Sequence, residues 1–150
     1  MKKKLVLTVG NGMMGDDGAG VLLAQMLQQA PLEEWEALHG GAAPENILHR
    51  VREMRPEQVL VVDAADMDLP PGAIRRIQYE RLEDPFLFTT HTLPLTFLIE
   101  SLREFVAQVD FVGIQPEVVA FGYPMSPTIK DAVAQVYAGL KGGEAAWSSL

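Results

Sequence analysis

The sequence predicts an α/β fold with three layers: a twisted, mainly parallel (mixed) sheet of about five strands, with helices on both faces. The alternation of two sequence patterns leads to this prediction. Short apolar, β-branched runs alternate along the chain with segments whose apolar residues recur at helical spacing. Strands that alternate with helices form βαβ units around a parallel sheet. The 150 residues contain no repeats, long linkers or low-complexity tracts, so a single domain spanning residues 1–150 is expected.

The first half of the chain reads as strand, helix, strand, helix, strand. Lys4–Val9 (KLVLTV) is short, apolar and β-branched, which is typical of a buried strand, and Asp17–Gln29 carries apolar residues at helical spacing. Trp35–Leu38 is a weaker strand that ends near a Gly-Gly pair. A proline opens the predicted helix Pro44–Arg55, and Gln58–Val62 (QVLVV) is the clearest buried strand of the chain.

The second half continues the alternation. Ala73–Tyr79 is compatible with a strand, and Leu93–Gln108 is the best amphipathic helix, with a proline near its start. Phe111–Ile114 and Val118–Phe121 are predicted as strand segments around a Gln-Pro pair. A final helix is expected over Ser126–Leu140.

Charge and composition exclude several classes of function. Twelve basic and 20 acidic residues give a net charge of -8, which disfavours binding to nucleic acid or to an anionic membrane. No apolar run is long enough for a signal peptide or a membrane span. The absence of Cys excludes thiolate chemistry and is compatible with the cytoplasm, which is the expected location.

The loop after the first predicted strand resembles a dinucleotide-binding fingerprint. Gly10-Asn11-Gly12-Met13-Met14-Gly15 fits G-x-G-x-x-G, but Asp16 and Asp17 follow where a pyrophosphate would lie. At an effective dielectric of ~20, two like charges 4 Å apart repel by roughly 4 kcal/mol. The acidic residue expected to end the second strand is also absent, since His39 stands there. These observations argue against a nucleotide.

The alternative explanation for the two aspartates is helix capping. Asp is a favoured N-cap, and a negative charge in the first turn stabilises a helix by about 0.3–1 kcal/mol. One cap needs only one carboxylate. Because helix neighbours project about 100° apart, one aspartate could cap while the other points into the cleft beyond the strand.

Three side chains are predicted to meet at the carboxyl edge of the sheet. Asp17 follows the first strand, Asp63 directly follows the apolar run of the central strand, and His91 precedes the long amphipathic helix. Ligands of open α/β sheets bind at this edge. Two carboxylates and one imidazole suit a borderline divalent ion such as zinc or nickel. Asp66 and Asp68 are better explained by an Asx-turn that closes the strand.

Six segments occur in order along nearly the whole chain: VGNGMMGDDGAG, GGAAPEN, VVDAADM, TTHTLPLTFLI, GIQPEVVAFGYPM and IKDAVAQVY. Together they resemble the [NiFe] hydrogenase maturation endopeptidases, in particular the branch that serves hydrogenase 3. The resemblance implies that Asp17, Asp63 and His91 are the metal-binding and catalytic residues. It also implies a cytoplasmic enzyme that removes a short C-terminal peptide from a nickel-loaded large-subunit precursor. His39 departs from the acidic residue that the family commonly has before the Gly-Gly turn.

The resulting hypothesis is a peptidase that recognises nickel already seated in the precursor of a [NiFe] hydrogenase large subunit. Nickel would be supplied by that substrate, and zinc or another divalent ion could substitute for it. The metal could polarise the scissile carbonyl or activate water, and Asp16 or another carboxylate could act as general base. A monomer is expected, with no nucleic-acid or membrane partner. Three alternatives stay open at this point: a non-catalytic nickel-checkpoint or chaperone-like binder, a nucleotide-binding domain, and a peptidase with its own zinc.

Overall fold

The computed structural model describes residues 4–41, 43–82, 92–143 and 147–150. A five-stranded sheet runs through it in the order β2-β1-β3-β5-β4. The strands are β1 (Lys4–Thr8), β2 (Trp35–His39), β3 (Gln58–Ala64), β4 (Ile74–Ile77) and β5 (Gln108–Ile114). The first three and β5 are parallel, and β4 pairs antiparallel with β5 at one edge. The predicted mixed, mainly parallel sheet is confirmed.

Helices cover both faces of the sheet. They are α1 (Ala19–Gln29), α2 (Leu48–Met54), α3 (Thr92–Arg103) and α4 (Pro127–Lys141). One apolar cluster joins α1 and α4 to one face of the sheet, and a second joins α2 and α3 to the other face. Buried side chains alternate between the two clusters along each central strand, as the pleat requires: Val61 belongs to the α2/α3 side and Val62 to the α1/α4 side. In the described part of the chain, no helix is both long and apolar enough to span a bilayer.

The strand order reverses beside β1. The chain leaves β1, forms β2 on one side of it, and then crosses to form β3 on the other side. Thr8 is the register partner of His39 on β2 and of Val62 on β3, so the carboxyl ends of these three strands lie side by side. The gap between the ends of β1 and β3 is therefore the topological switch point at which ligands of open α/β sheets bind.

Most element bounds differ from the sequence prediction by one to five residues, and one predicted strand does not form. The strand ending at Val62 continues to Ala64, so Asp63 lies inside β3. The long helix ends at Arg103 instead of Gln108, because Gln108 begins β5 in register with Gln58. The predicted strand Val118–Phe121 is wrong: these residues form a loop whose backbone bonds to the region after β1 and not to a neighbouring strand.

Candidate functional site

Two glycines after β1, Gly10 and Gly20, are required by close packing. Gly10 has φ +147°, and a Cβ atom there would lie 2.2 Å from the carbonyl oxygen of Asp17. A Cβ on Gly20 would lie 2.2 Å from the carbonyl oxygen of Val9, so α1 can approach β1 only through a glycine. Gly12, the glycine that should face a pyrophosphate, has only the Val21 side chain within 4 Å of such an atom, at 3.7 Å or more. Close packing therefore explains Gly10 and Gly20 without a bound phosphate.

Asp16 lies in a short 3₁₀ helix, Gly15–Gly18, which connects this loop to α1, and its carboxylate is completely buried. Oδ2 accepts hydrogen bonds from the backbone N–H groups of Glu117 (2.9 Å) and Val118 (2.8 Å) and from the Ser126 hydroxyl (2.8 Å). Oδ1 accepts one from the backbone N–H of Ser126 at 2.7 Å. The Asp16 N–H in turn donates to the carbonyl oxygen of Val118 at 2.8 Å. One carboxylate thus fastens the 117–126 loop to the 3₁₀ helix.

This environment makes Asp16 a poor general base. Burial raises the pKa of its carboxyl, but the four hydrogen bonds outweigh burial and hold the pKa below its ordinary value of 3.8. An efficient base at neutral pH needs a pKa near the working pH and a lone pair free to receive a proton. The pKa of Asp16 is shifted away from that range, and four donors already contact its carboxylate, so its role is to hold the loop.

Asp17 faces a different neighbourhood. Its side chain is 4% exposed, and its Oδ2 accepts a hydrogen bond from the backbone N–H of Asn11 at 3.1 Å. The expectation that one of the two aspartates caps α1 is wrong, because Gly18 is the N-cap residue and no side chain makes the capping hydrogen bond. The 3₁₀ helix that carries Asp17 packs against β3, the strand that carries Asp63.

Asp63 is fully buried near the end of β3. Its neighbours at alternate positions, Val61 and Ala65, belong to the apolar cluster under α2 and α3, so the pleat directs the Asp63 side chain toward that layer. In the sheet it is the register partner of Gly113 on β5. A carboxylate at this position interrupts an otherwise apolar surface and is hard to explain by packing alone.

Asp17 thus lies in the segment that follows β1, and Asp63 near the end of the adjacent strand β3. His91, the third predicted ligand, lies outside the described residues. Among those that are described, no three His, Asp or Glu side chains form a group able to hold a metal ion. Two buried carboxylates match the oxygen ligands of a divalent cation, and a further ligand from the protein or from a substrate would complete its coordination.

The turn after β3 is closed as the sequence indicates. Oδ1 of Asp66 accepts the backbone N–H of Asp68 at 3.1 Å, which is an Asx-turn. Sequence reasoning missed the residue that anchors this turn. Gln115, buried at the end of β5, accepts the Met67 N–H through Oε1 at 2.6 Å and donates from Nε2 to Oδ1 of Asp66 at 3.1 Å. The available signal was a polar side chain directly after a buried apolar strand.

His39 ends β2 beside β1. Its Nδ1 lies 2.8 Å from the hydroxyl oxygen of Thr8, which is its register partner. Burial lowers the pKa of the imidazole below its ordinary 6.5, while a hydrogen bond with the Thr8 backbone opposes that shift. Its strand neighbours at alternate positions, Trp35 and Ala37, pack on the α1/α4 side, opposite to the side that Asp63 faces. His39 is therefore held neutral against β1, on the other face of the sheet from Asp63.

Comparison with known proteins gives one consistent family. Residues 21–140 match a family model described as hydrogenase maturation protease. The hydrogenase 3 maturation protease of Escherichia coli K12 is 51% identical over 140 residues, which cover 93% of this chain and 90% of that protein.

Solved structures agree with the sequence comparison. The solution structure of an endopeptidase from E. coli, HycI, superposes with a TM-score of 0.92 at 48% identity and covers 100% of this chain and 97% of its own. The hydrogenase maturating endopeptidase HybD from E. coli superposes with a TM-score of 0.72 at 26% identity, covering 95% of this chain and 94% of its own. The architecture and the order of the segments along the chain are therefore those of these peptidases.

Proposed function

Because the chain belongs to the hydrogenase maturation protease family, we propose that it removes a C-terminal peptide from the nickel-loaded precursor of a [NiFe] hydrogenase large subunit. In this proposal Asp17, Asp63 and His91 contact the nickel, which arrives with the substrate. Zinc or another divalent ion can take the place of nickel. The enzyme acts in the cytoplasm as a monomer, and neither nucleic acid nor a membrane is a partner.

The observation that supports the proposal is that two buried carboxylates follow or end two adjacent strands of the sheet. Asp17, 4% exposed, lies in the 3₁₀ helix after β1, and Asp63, completely buried, lies near the end of β3. Buried carboxylates are costly unless they are paired, hydrogen-bonded or bound to a metal. A pair of them at one edge raises the local negative potential, so a divalent cation is the ligand that this edge attracts most strongly.

The charges explain how cleavage can depend on nickel. With neutral His91, the three side chains carry a net charge of -2, which balances one divalent ion. A precursor without nickel would bring no positive charge to this edge of the sheet. The bound ion would supply Lewis-acid polarisation of a carbonyl or activation of a water molecule.

The residues around the pair have separate tasks in this proposal. Asp17 is oriented by the Asn11 N–H, and Asp63 is held by the rigid central strand. Asp16 is fully occupied by the 117–126 loop, so it supplies no proton transfer. The proton that leaves an attacking water would therefore pass to one of the carboxylates that face the ion, or to His91.

The test is cleavage of purified precursor, with and without nickel, followed by intact mass measurement. Wild-type protein is expected to shorten the nickel-loaded precursor and to leave the nickel-free form unchanged. Asp17→Asn, Asp63→Asn and His91→Ala are each expected to slow cleavage of the loaded form by roughly 100- to 1,000-fold, because each removes a group that faces the ion.

Asp68→Asn is the matched control, because Asp68 is an exposed carboxylate at the same edge of the sheet. It should cleave at the wild-type rate. Equal cleavage of nickel-free precursor by wild-type protein would overturn the nickel dependence and favour a peptidase with its own metal. Binding without any change in precursor mass would instead indicate a checkpoint module.

A further inference from the structure

One surface beside the site exposes apolar side chains. Five large apolar side chains are exposed in the described part of the chain, and four of them lie together: Met13 (61%), Val119 (40%), Phe121 (70%) and Tyr123 (58%). We call these four residues the apolar patch. The fifth, Phe97 (55%), lies on α3, which belongs to the opposite layer. Clustered exposed apolar residues mark interaction sites more often than scattered ones do.

Backbone hydrogen bonds make the patch continuous. The N–H of Gly122 donates to the carbonyl oxygen of Met13 at 2.9 Å, which places Phe121 and Tyr123 on either side of that contact. A Cβ on Gly15 would lie 3.5 Å from Cβ of Tyr123, so Tyr123 packs against the start of the 3₁₀ helix. Val119 directly follows Val118, whose carbonyl oxygen accepts the Asp16 N–H. The patch thus begins four residues before Asp17 and borders the same edge of the sheet.

The patch is also held in shape. The four hydrogen bonds to the Asp16 carboxylate fix the loop at Glu117, Val118 and Ser126, on both sides of the exposed aromatic residues. Pro116 and Pro124 restrict the backbone of the same loop. A surface whose side chains are held in place before binding loses less conformational entropy when a partner arrives.

We propose that the apolar patch is the docking surface for the folded large-subunit precursor, which it seats so that the nickel reaches Asp17 and Asp63. The inference rests on the proposed function for the identity of the substrate. The patch is continuous with the edge at which that substrate reacts, and aromatic side chains dominate the binding energy of protein interfaces.

Charge favours the precursor over a second copy of this chain. There is no Lys or Arg between Lys4 and Arg50 or between Arg103 and Lys130, the two stretches that contain the patch. Among the acidic residues next to the patch, Glu117 is exposed, whereas Asp16 and Asp17 are buried. Two copies that met through this face would have no basic side chain from these stretches to pair with Glu117, in a protein of net charge -8. A precursor that presents a divalent cation at the same edge has the complementary charge.

The experiment compares steady-state cleavage of nickel-loaded precursor by wild type, by Phe121→Ala/Tyr123→Ala and by Phe97→Ala. Removal of two anchors is expected to raise KM by roughly 10- to 100-fold while kcat stays within about twofold. Phe97→Ala removes an equally exposed aromatic side chain from the other layer and should leave KM unchanged. Thermal unfolding of the three proteins should coincide, because all the altered side chains are exposed.

Binding of nickel-free precursor separates this inference from the proposed function. The double variant should bind it roughly 10- to 100-fold more weakly than wild type, whether or not cleavage requires nickel. An unchanged KM and unchanged binding would overturn the docking surface, as would an equal loss in Phe97→Ala. A wild-type dimer that the double variant abolishes, with cleavage unaffected, would assign the patch to self-association instead. Loss of nickel dependence with the KM effect intact would overturn only the nickel proposal.

Discussion

Two regions meet at the first 3₁₀ helix, and each receives one of its two consecutive carboxylates. Asp16 enters the 117–126 loop, where backbone N–H groups and a hydroxyl surround it with four hydrogen bonds. Asp17 accepts a hydrogen bond from the Asn11 N–H in the segment after β1, beside the strand that carries Asp63. Identical side chains, one residue apart, thus occupy two environments: the anchor of a loop, and the edge of the sheet at which ligands of open α/β folds bind.

The different environments of Asp16 and Asp17 indicate which of the two carboxylates is available for catalysis. When several donors hydrogen-bond to a carboxylate, they stabilise its charged form, and the carboxylate becomes a weaker base. A buried carboxylate at a switch point can still bind a cation. If this division is correct, changes at Asp16 should appear mainly in stability, and changes at Asp17 mainly in turnover.

The largest expected effect on stability comes from Asp16→Asn. The substitution removes the charge and turns an NH₂ group toward N–H donors, so about 2–4 kcal/mol of unfolding free energy should be lost. Urea unfolding followed by circular dichroism measures it. Asp131→Asn, an exposed aspartate on α4, is the control and should change the free energy by less than about 0.5 kcal/mol. Equal stabilities for the two variants would remove the distinction between the two regions.

Acid should destabilise the wild-type protein through the same group. The folded-state pKa of Asp16 lies below its ordinary 3.8, so the folded state holds the charged form more strongly than the unfolded chain does. The contribution is complete above the unfolded pKa and is lost as pH falls through the folded pKa. Unfolding measured from pH 6 down to about pH 2 should therefore show a loss below about pH 4 that is smaller in Asp16→Asn. Parallel curves for the two proteins would contradict this assignment.

Local patterns were sufficient to select candidate residues at the strand ends. Asp63 could be selected because an apolar run stops at it, and Asp17 because it follows the first strand. The sequence could not separate Asp16 from Asp17, since the partners that distinguish them lie about 100 residues away, at Glu117 and Val118. His91 was selected by its position before α3, and its role stays a prediction.

The same long-range contact explains the strand that is wrong. The run Val-Val-Ala-Phe at 118–121 has strand composition, but a strand also needs a partner ladder. The start of this run is instead hydrogen-bonded to Asp16, and Gly122 to Met13, both in the region after β1. Apolar side chains that would have faced a core are consequently left in the exposed patch. The composition of residues 118–121 is that of a strand, but composition does not show the hydrogen bonds to the region after β1 that prevent a strand from forming.

The smallest expected effect on stability comes from Ser126→Ala, which tests how much one of the four hydrogen bonds to Asp16 contributes. Ser126→Ala removes only the hydroxyl that donates to Oδ2 and keeps the backbone N–H that donates to Oδ1. The loop should stay in place, and the cost should be about 1 kcal/mol, in line with a single hydrogen bond whose acceptor keeps other donors. Ser101→Ala, a half-buried serine on α3, serves as control. If Ser126→Ala lowers the free energy of unfolding as much as Asp16→Asn does, the hydroxyl and not the backbone donors holds the loop. If it causes no loss, the three backbone N–H groups hold the loop without the hydroxyl.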